Sequence, residues 1–369
     1  MKFRSERDAL AEVLTTAGRA AGGRGTSSVV LSGLLLRSEG NDLEVTGTDL
    51  DLTIRVRQEV IGLDDGACVV PARLTADVVR SLEPGAVTIE GGEDKVEISS
   101  ARARFGLRAF SVVEFPTVAA PQEPMVSLPA GMFAEGLRQV VRAASTDDAR
   151  PLLTGVLLTG GGGSVRLVAT DSYRLALRDL EGTSSFGAEN DILVPARALG
   201  ELQRLPVTVD GERDVIGMAA GPHDITFTRG PVRITTRLLD GTYPDYRQLI
   251  PEHYPNRLHV GKENLVSALR RVRLLVRDNT TPVRLSMRAG GVDLTVVSQE
   301  VGDASETVDG DFSGEDLVIA FNPSYLIDGV EAVLDDEVVI ETADPSRPAT
   351  VRAAERDDFR YLLMPVRVA

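Results

Sequence analysis

Apolar residues recur at helical spacing in three separate stretches: Leu10, Val13 and Leu14; Phe133, Leu137 and Val140; and Leu265, Leu269 and Val272. Each stretch follows a short strand-like segment, in "MKFRSERDALAEVLTTAGRA", "MVSLPAGMFAEGLRQVVRAA" and "RLHVGKENLVSALRRVRLLV". The pattern behind each then changes to alternating or continuous apolar runs broken by Gly, Asn and Asp, as antiparallel hairpins require. These are "VLSGLLLRSEGNDLEVTGTDLDLTIRV", "LLTGVLLTGGGGSVRLVATDSYRLAL" and the looser "PVRLSMRAGGVDLTVVSQEVGDASETV", with Thr48-Asp49 corresponding to Thr170-Asp171. A strand ending in proline and a second helix come next, in "VVPARLTADVVRSL", "LVPARALGELQRL" and "AFNPSYLIDGVEAV". Proline suits a first helical turn, and the reading places Pro71, Pro195 and Pro323 at one repeated position.

The repeat has a period of about 120 residues and sets the architecture before any single motif does. It predicts an α+β chain of three similar domains, each with two helices and mainly antiparallel sheets. Their expected limits are residues 1–121, 125–251 and 255–369, with the linker Ala119-Ala120-Pro121-Gln122-Glu123-Pro124 at the first junction. A length of 369 residues suits two or three cores better than one.

Composition narrows the class. With 43% hydrophobic and 26% charged residues the chain reads as an ordinary globular protein, and no apolar run reaches the roughly 20 residues of a membrane helix. The N-terminus goes straight into a charged amphipathic stretch with no secretory-signal layout, so a cytoplasmic location is expected. Cys68 is the single cysteine, which excludes an intrachain disulfide, and its place beside Val69 and Val70 reads as a small buried hydrophobe. A formal charge of −15 opposes nonspecific nucleic-acid binding unless the cations are gathered on one surface.

Catalytic chemistry finds little support. His223, His253 and His259 stand in unrelated contexts, and none has metal-ligand spacing. The run Gly160 to Gly163 has no Gly-Lys-Ser/Thr behind it and reads as a hairpin turn. The pairs Asp49/Asp51, Asp147/Asp148, Asp335/Asp336 and Asp357/Asp358 could bind a hard cation, but read better as solvated surface, with the first pair alternating along a strand. Neither a metal, a cofactor nor a catalytic residue is expected. Basic residues are more suggestive: between Lys262 and Arg277 in the third repeat, Lys262, Arg270, Arg271, Arg273 and Arg277 stand against one acid, Glu263. Arg138 and Arg142 lie one turn apart, and the spacing of Arg73 to Arg80 repeats in Arg197 to Arg204. Recurrence at equivalent helical positions would build a basic surface on an acidic protein.

The segments "MKFRSERDAL", "GTDLDLTIRV", "VATDSYRLAL", "LLDGTYPDYRQLIP", "FNPSYLIDGV" and "YLLMPVRV", in this order, resemble the β subunit of bacterial DNA polymerase III, the sliding clamp family, across essentially the whole chain. The resemblance implies the DNA clamp fold and a head-to-tail homodimer closing six domains into a ring, with helices inside and sheets outside. It implies a non-catalytic processivity factor that encircles double-stranded DNA without reading sequence. Its expected partners are the polymerase III alpha subunit, the clamp loader and other proteins carrying short Leu/Phe-containing peptides. Carried over residue by residue, the peptide pocket comprises Leu153, Thr170, Tyr173, Arg174, Leu175, Pro244, Leu249, Asn322, Tyr325, Pro348, Leu362, Met364, Pro365, Val366 and Arg367. Such a cleft accepts Leu and Phe anchors on aliphatic, Pro and Met side chains, while Arg or Asn at its rim fixes the peptide backbone. The resemblance assigns DNA contacts to Arg24, Arg73 and Arg197, with the third-repeat arginines as inner-wall candidates, and sets Phe105 and Leu107 against Leu274 and Leu275 of a partner.

The sequence departs from the family pattern in lacking a proline just after Arg24, in carrying Ala196 where many relatives have a second basic residue, and in ending on Ala369. These departures leave an accessory clamp conferring drug tolerance as an alternative. The others are an interaction platform that never encircles DNA and a metal-dependent enzyme built on the acidic pairs.

Overall fold

The computed structural model describes residues 1–22, 28–117, 126–161, 164–181, 191–205, 214–251, 253–278 and 281–367. Arg24, the linker at 119–124, Gly162, Gly163 and Ala369 lie outside the described residues. Six α-helices are found among the described residues: α1 (Arg7–Gly18), α2 (Ala72–Ser81), α3 (Ala130–Val140), α4 (Ala196–Gln203), α5 (Lys262–Val272) and α6 (Pro323–Ala332). The helical periodicity is realised as core: all nine apolar residues that define it in α1, α3 and α5 are buried. Every strand pairing is antiparallel.

The chain separates into two compact units, Met1–Gly131 with Arg204–Leu238, and Met132–Gln203 with Leu239–Ala369. The first unit holds a five-stranded sheet in the order Ile61–Asp64, Lys2–Glu6, Ala86–Gly91, Lys95–Ser100, Ala103–Arg108. It also holds an eight-stranded sheet in the order Val126–Pro129, Val215–Ala220, Asp224–Arg229, Val232–Arg237, Leu52–Glu59, Asp42–Thr48, Gly33–Glu39, Gly66–Pro71. The second unit is built on twelve strands: Ile192–Pro195, Gly155–Gly161, Ser164–Thr170, Arg174–Glu181, Phe359–Leu363, Ala349–Ala353, Glu337–Thr342, Asn256–Gly261, Gly302–Ser313, Gly291–Ser298, Val283–Arg288, Leu317–Phe321.

Units and repeats do not coincide because strands pair across repeats. The last strand of the second repeat, Val232–Arg237, joins Leu52–Glu59 of the first, with Ile234 opposite Ile54. The last strand of the third, Phe359–Leu363, joins Arg174–Glu181 of the second in the same way, with Leu362 opposite Leu175. Each junction extends a ladder of backbone hydrogen bonds over a repeat boundary and leaves no sheet edge exposed there.

Two sequence expectations need correction. The proline position repeats only in the first two repeats, where Pro71 and Pro195 each end the strand directly before the helix, whereas Pro323 is itself the first helical residue of α6. The counterpart of Pro71 is Asn322, whose Oδ1 accepts the backbone N–H of Ser324 at 2.9 Å and of Tyr325 at 3.3 Å. An N-cap side chain does there what the other two repeats leave undone. Asp49 and Asp51, in turn, lie at the bend between the strands Asp42–Thr48 and Leu52–Glu59 rather than alternating along one.

Candidate functional site

That bend is the first component of the site, since it is built twice. Thr170 Oγ1 donates to the Arg174 carbonyl at 2.6 Å and accepts the Ser172 N–H at 3.2 Å. Asp171 Oδ1 accepts the N–H groups of Tyr173 at 2.9 Å and Arg174 at 3.0 Å. In the first repeat Thr48 bonds Leu52 and Leu50, and Asp49 accepts from Asp51 and Leu52, in the same pattern. Ser172 and Leu50 both take left-handed backbone, at φ 79° and 82°, a conformation that non-glycine residues hold only when their surroundings impose it. The carboxylates therefore serve as backbone acceptors in a turn, and no group of three His, Cys, Asp or Glu able to hold a metal occurs among the described residues.

The turn aims Tyr173 and Arg174 at the last strand of the chain. Met364 donates its backbone N–H to the Tyr173 carbonyl at 2.9 Å, and Val366 donates to Ala320 at 2.8 Å, so the C-terminal tail is held on both sides. Leu175 and Leu362 face each other in register and belong to one buried cluster with Leu157, Val168, Leu177, Leu193 and Tyr246. Leu152, Leu239, Tyr243 and Ile250 pack against that cluster and bring in the segment carrying Pro244 and Leu249. Above this floor the side chains are open: Tyr173 is 57% exposed, Leu249 45% and Met364 42%. Pro348 directly precedes Ala349, which lies opposite Leu363.

Arg174 ties the floor to α6. Its Nε is 3.0 Å from Asp171 Oδ2, its Nη1 is 2.5 Å from Asp328 Oδ2 and 3.4 Å from the Tyr361 hydroxyl, and its guanidinium lies 4.3 Å from the Tyr325 ring centroid. Burial works against the charge, but Tyr361, Asp328 and Asp171 outweigh it and hold the Arg174 pKa above its ordinary value. Burial raises the hydroxyl pKa values of both Tyr361 and Tyr325. The Tyr361 hydroxyl donates to the Tyr325 carbonyl at 3.0 Å. Gly329 makes room for this arrangement, because a Cβ there would stand 2.4 Å from the Tyr361 ring.

Direct contacts thus join Thr170, Tyr173, Arg174, Leu175, Asn322, Tyr325, Leu362 and Met364, while Val366 is held on Ala320, two residues before Asn322. Leu153, in the turn Pro151–Thr154, is buried and accepts the Ser145 N–H through its carbonyl. Pro365 and Arg367 border Val366 without a side-chain partner of their own among the described residues. Sequence reading missed Asp328, Tyr361 and Tyr243. The first two lie inside "FNPSYLIDGV" and "YLLMPVRV", but their roles depend on a partner more than 150 residues away. The equivalent junction of the first unit keeps the geometry and loses the chemistry. Arg237 donates to the Asp51 carbonyl at 3.0 Å as Met364 does to Tyr173, yet its side chain lies 3.8 Å from the Asp51 carboxylate in solvent.

Of the residues expected on DNA, Arg73 is almost wholly exposed on α2, 3.8 Å from Asp77, and Arg197 lies on α4. Of the expected interface residues, Leu274 is 78% exposed, Phe105 is exposed at a sheet edge, Leu275 is half-buried and Leu107 is buried within its own chain.

Three similar α+β repeats, joined through shared sheets and carrying an apolar, arginine-bearing site at a repeat junction, define a class of repeat-built scaffold. Family models for the N-terminal, central and C-terminal domains of the DNA polymerase III beta subunit match residues 1–119, 127–245 and 247–367. The chain is 34% identical to the beta sliding clamp of Streptomyces coelicolor and 31% identical to that of Vibrio cholerae, each alignment covering all of both chains. The crystal structure of the sliding clamp of Bartonella birtlesii bound to griselimycin superposes with a TM-score of 0.93 at 30% identity, again over the full length of both. The chain belongs to the DNA polymerase III beta subunit family, the beta sliding clamps, whose members are processivity factors rather than enzymes.

Proposed function

We propose that two copies of this chain close head to tail into a ring of six domains, with limits at 1–121, 125–251 and 255–369, that encircles duplex DNA in the cytoplasm. The carrying observation is the repeated strand junction. Two terminal strands, Val232–Arg237 and Phe359–Leu363, each pair with the outer strand of another repeat. The corresponding strand of the first repeat, Ala103–Arg108, ends its sheet, and the first half of Gly302–Ser313 in the third repeat is paired on one edge only, to Gly291–Ser298. Among the described residues each chain therefore keeps one unmatched strand of each kind, and a second copy would supply the complement of both. Exposed Phe105 lies on the first edge, and the turn carrying exposed Leu274 packs against the second. Two such heterologous contacts close a ring of two chains.

The site at Arg174 and Met364 is then the pocket for short Leu/Phe-containing peptides of the polymerase III alpha subunit, the clamp loader and other partners. Its buried floor and open Met and Tyr side chains supply apolar area, and Met adapts to several ligands. Arg24, Arg73 and Arg197 belong to the DNA side, where weak phosphate contacts permit sliding. The test is primer extension by a bacterial polymerase III and its clamp loader on a primed circular single strand. Long products that require this protein support the reading, and distributive synthesis with a loader proven on another clamp contradicts it.

A further inference from the structure

Several of the cations that make the helices basic are engaged by the chain's own carboxylates. Arg73 and Arg80 flank Asp77, and Arg271 pairs with Glu306. The densest arrangement centres on Glu331 of α6. Its Oε1 accepts from Arg270 Nη2 of α5 at 2.7 Å, and its Oε2 accepts from Arg142 Nη1, in the turn after α3, at 3.2 Å. Asp328, one turn earlier, lies 3.6 Å from Arg142 but is committed to Arg174 through its other oxygen. Arg270, Arg142 and Glu331 keep 64%, 53% and 26% of their side-chain surface open to solvent. Solvent-exposed pairs of this kind contribute little net free energy, so a phosphate can exchange for the carboxylate.

We propose that Glu331 sets how strongly this clamp grips DNA, by holding Arg142 and Arg270 as a partly neutralised reserve. This rests on the reading that the helices face the duplex. Arg138, Arg273 and Arg277 are exposed without a carboxylate partner among the described residues and supply a basal grip. Glu331 lowers what the other two add, because each phosphate they engage must displace it. A sliding protein benefits from such a brake, since every full phosphate contact steepens the dependence of log affinity on log salt by about 0.9.

The experiment is equilibrium binding to a labelled linear duplex, whose ends let a closed ring thread, followed by fluorescence anisotropy from 50 to 200 mM salt. Glu331→Gln is expected to tighten binding about threefold to tenfold at 50 mM and to steepen the salt slope by about one to two. Adding Arg142→Gln and Arg270→Gln in the same chain should abolish the gain. Glu331→Asp, whose shorter reach loses at least one arginine, should fall between and serves if the first variant does not fold. A Glu331→Gln slope equal to that of the parent, while Arg273→Gln still lowers the parent's slope, overturns the inference and leaves the DNA reading intact. A parent whose binding is insensitive both to salt and to Arg138→Gln with Arg273→Gln overturns that reading, and this inference with it.

Discussion

Replacing Met364 by alanine removes an open side chain of the proposed peptide pocket and leaves its scaffold in place. The backbone N–H of residue 364 still donates to Tyr173, and the floor formed by Leu175 and Leu362 is untouched. Met364 is 42% exposed. A bound anchor would cover roughly 70 Å² of it, which at ~25 cal/mol per Å² contributes about 1.7 kcal/mol. Since each 1.4 kcal/mol is tenfold in affinity, the variant should bind a Leu/Phe-containing polymerase peptide about 10- to 20-fold more weakly. Isothermal titration with the peptide measures this, and light scattering should show an unchanged dimer. Arg237→Ala, at the equivalent place in the first unit, serves as the control and should leave peptide affinity as it was. Affinity of Met364→Ala within twofold of the parent would refute the assignment.

Other expectations follow from burial and strain. Leu274→Asp adds charge to a side chain that is 78% exposed, so the folded chain should persist while its mass by light scattering falls from the dimer to 39.5 kDa; an unchanged dimer mass would exclude Leu274 from the interface. Leu107→Asp differs in kind, because Leu107 is buried within its own chain, and should lower the melting temperature as well as split the dimer. Gly329→Ala forces a Cβ against Tyr361 and should cost about 1 to 3 kcal/mol by denaturant titration, with weakened peptide binding as Arg174 loses its support; full stability would contradict the close contact. The Cys68 thiol, pushed up to about 12 by burial, should resist a thiol reagent at pH 8 until denaturant is added. The sign for stability follows: the unfolded thiol ionises above its ordinary 9.0 while the folded one stays protonated, so folding weakens as pH rises from there towards 12.

Much of this was legible in the sequence because it rests on local pattern. Helical spacing locates the buried faces of α1, α3 and α5, and the correspondence of Thr48-Asp49 with Thr170-Asp171 falls on two turns with matching hydrogen bonds, although the pattern alone sets Asp49 and Asp51 along a strand. The family motifs supply the residues proposed for the pocket. What local pattern could not supply was long-range pairing. The strands that fuse neighbouring repeats lie far apart in sequence, so the period of the repeat does not show that compact units cut across it. Local pattern says nothing of partners for Asp328 and Glu331, whose arginines lie on other elements and meet them only through tertiary packing. The third repeat fills the Pro71 position with a capping asparagine, a one-residue offset of Pro323 that the proline pattern alone does not reveal.

The central claim is topological, and retention on circular DNA tests it most directly. The protein is loaded onto a nicked circular plasmid by a bacterial clamp loader with ATP, free protein is removed, and the plasmid is cut once. The account predicts that bound protein stays on the intact circle in high salt and is lost after linearisation, as a closed ring slides off the ends. Equal retention on circular and linear DNA would mean ordinary affinity binding and would contradict it.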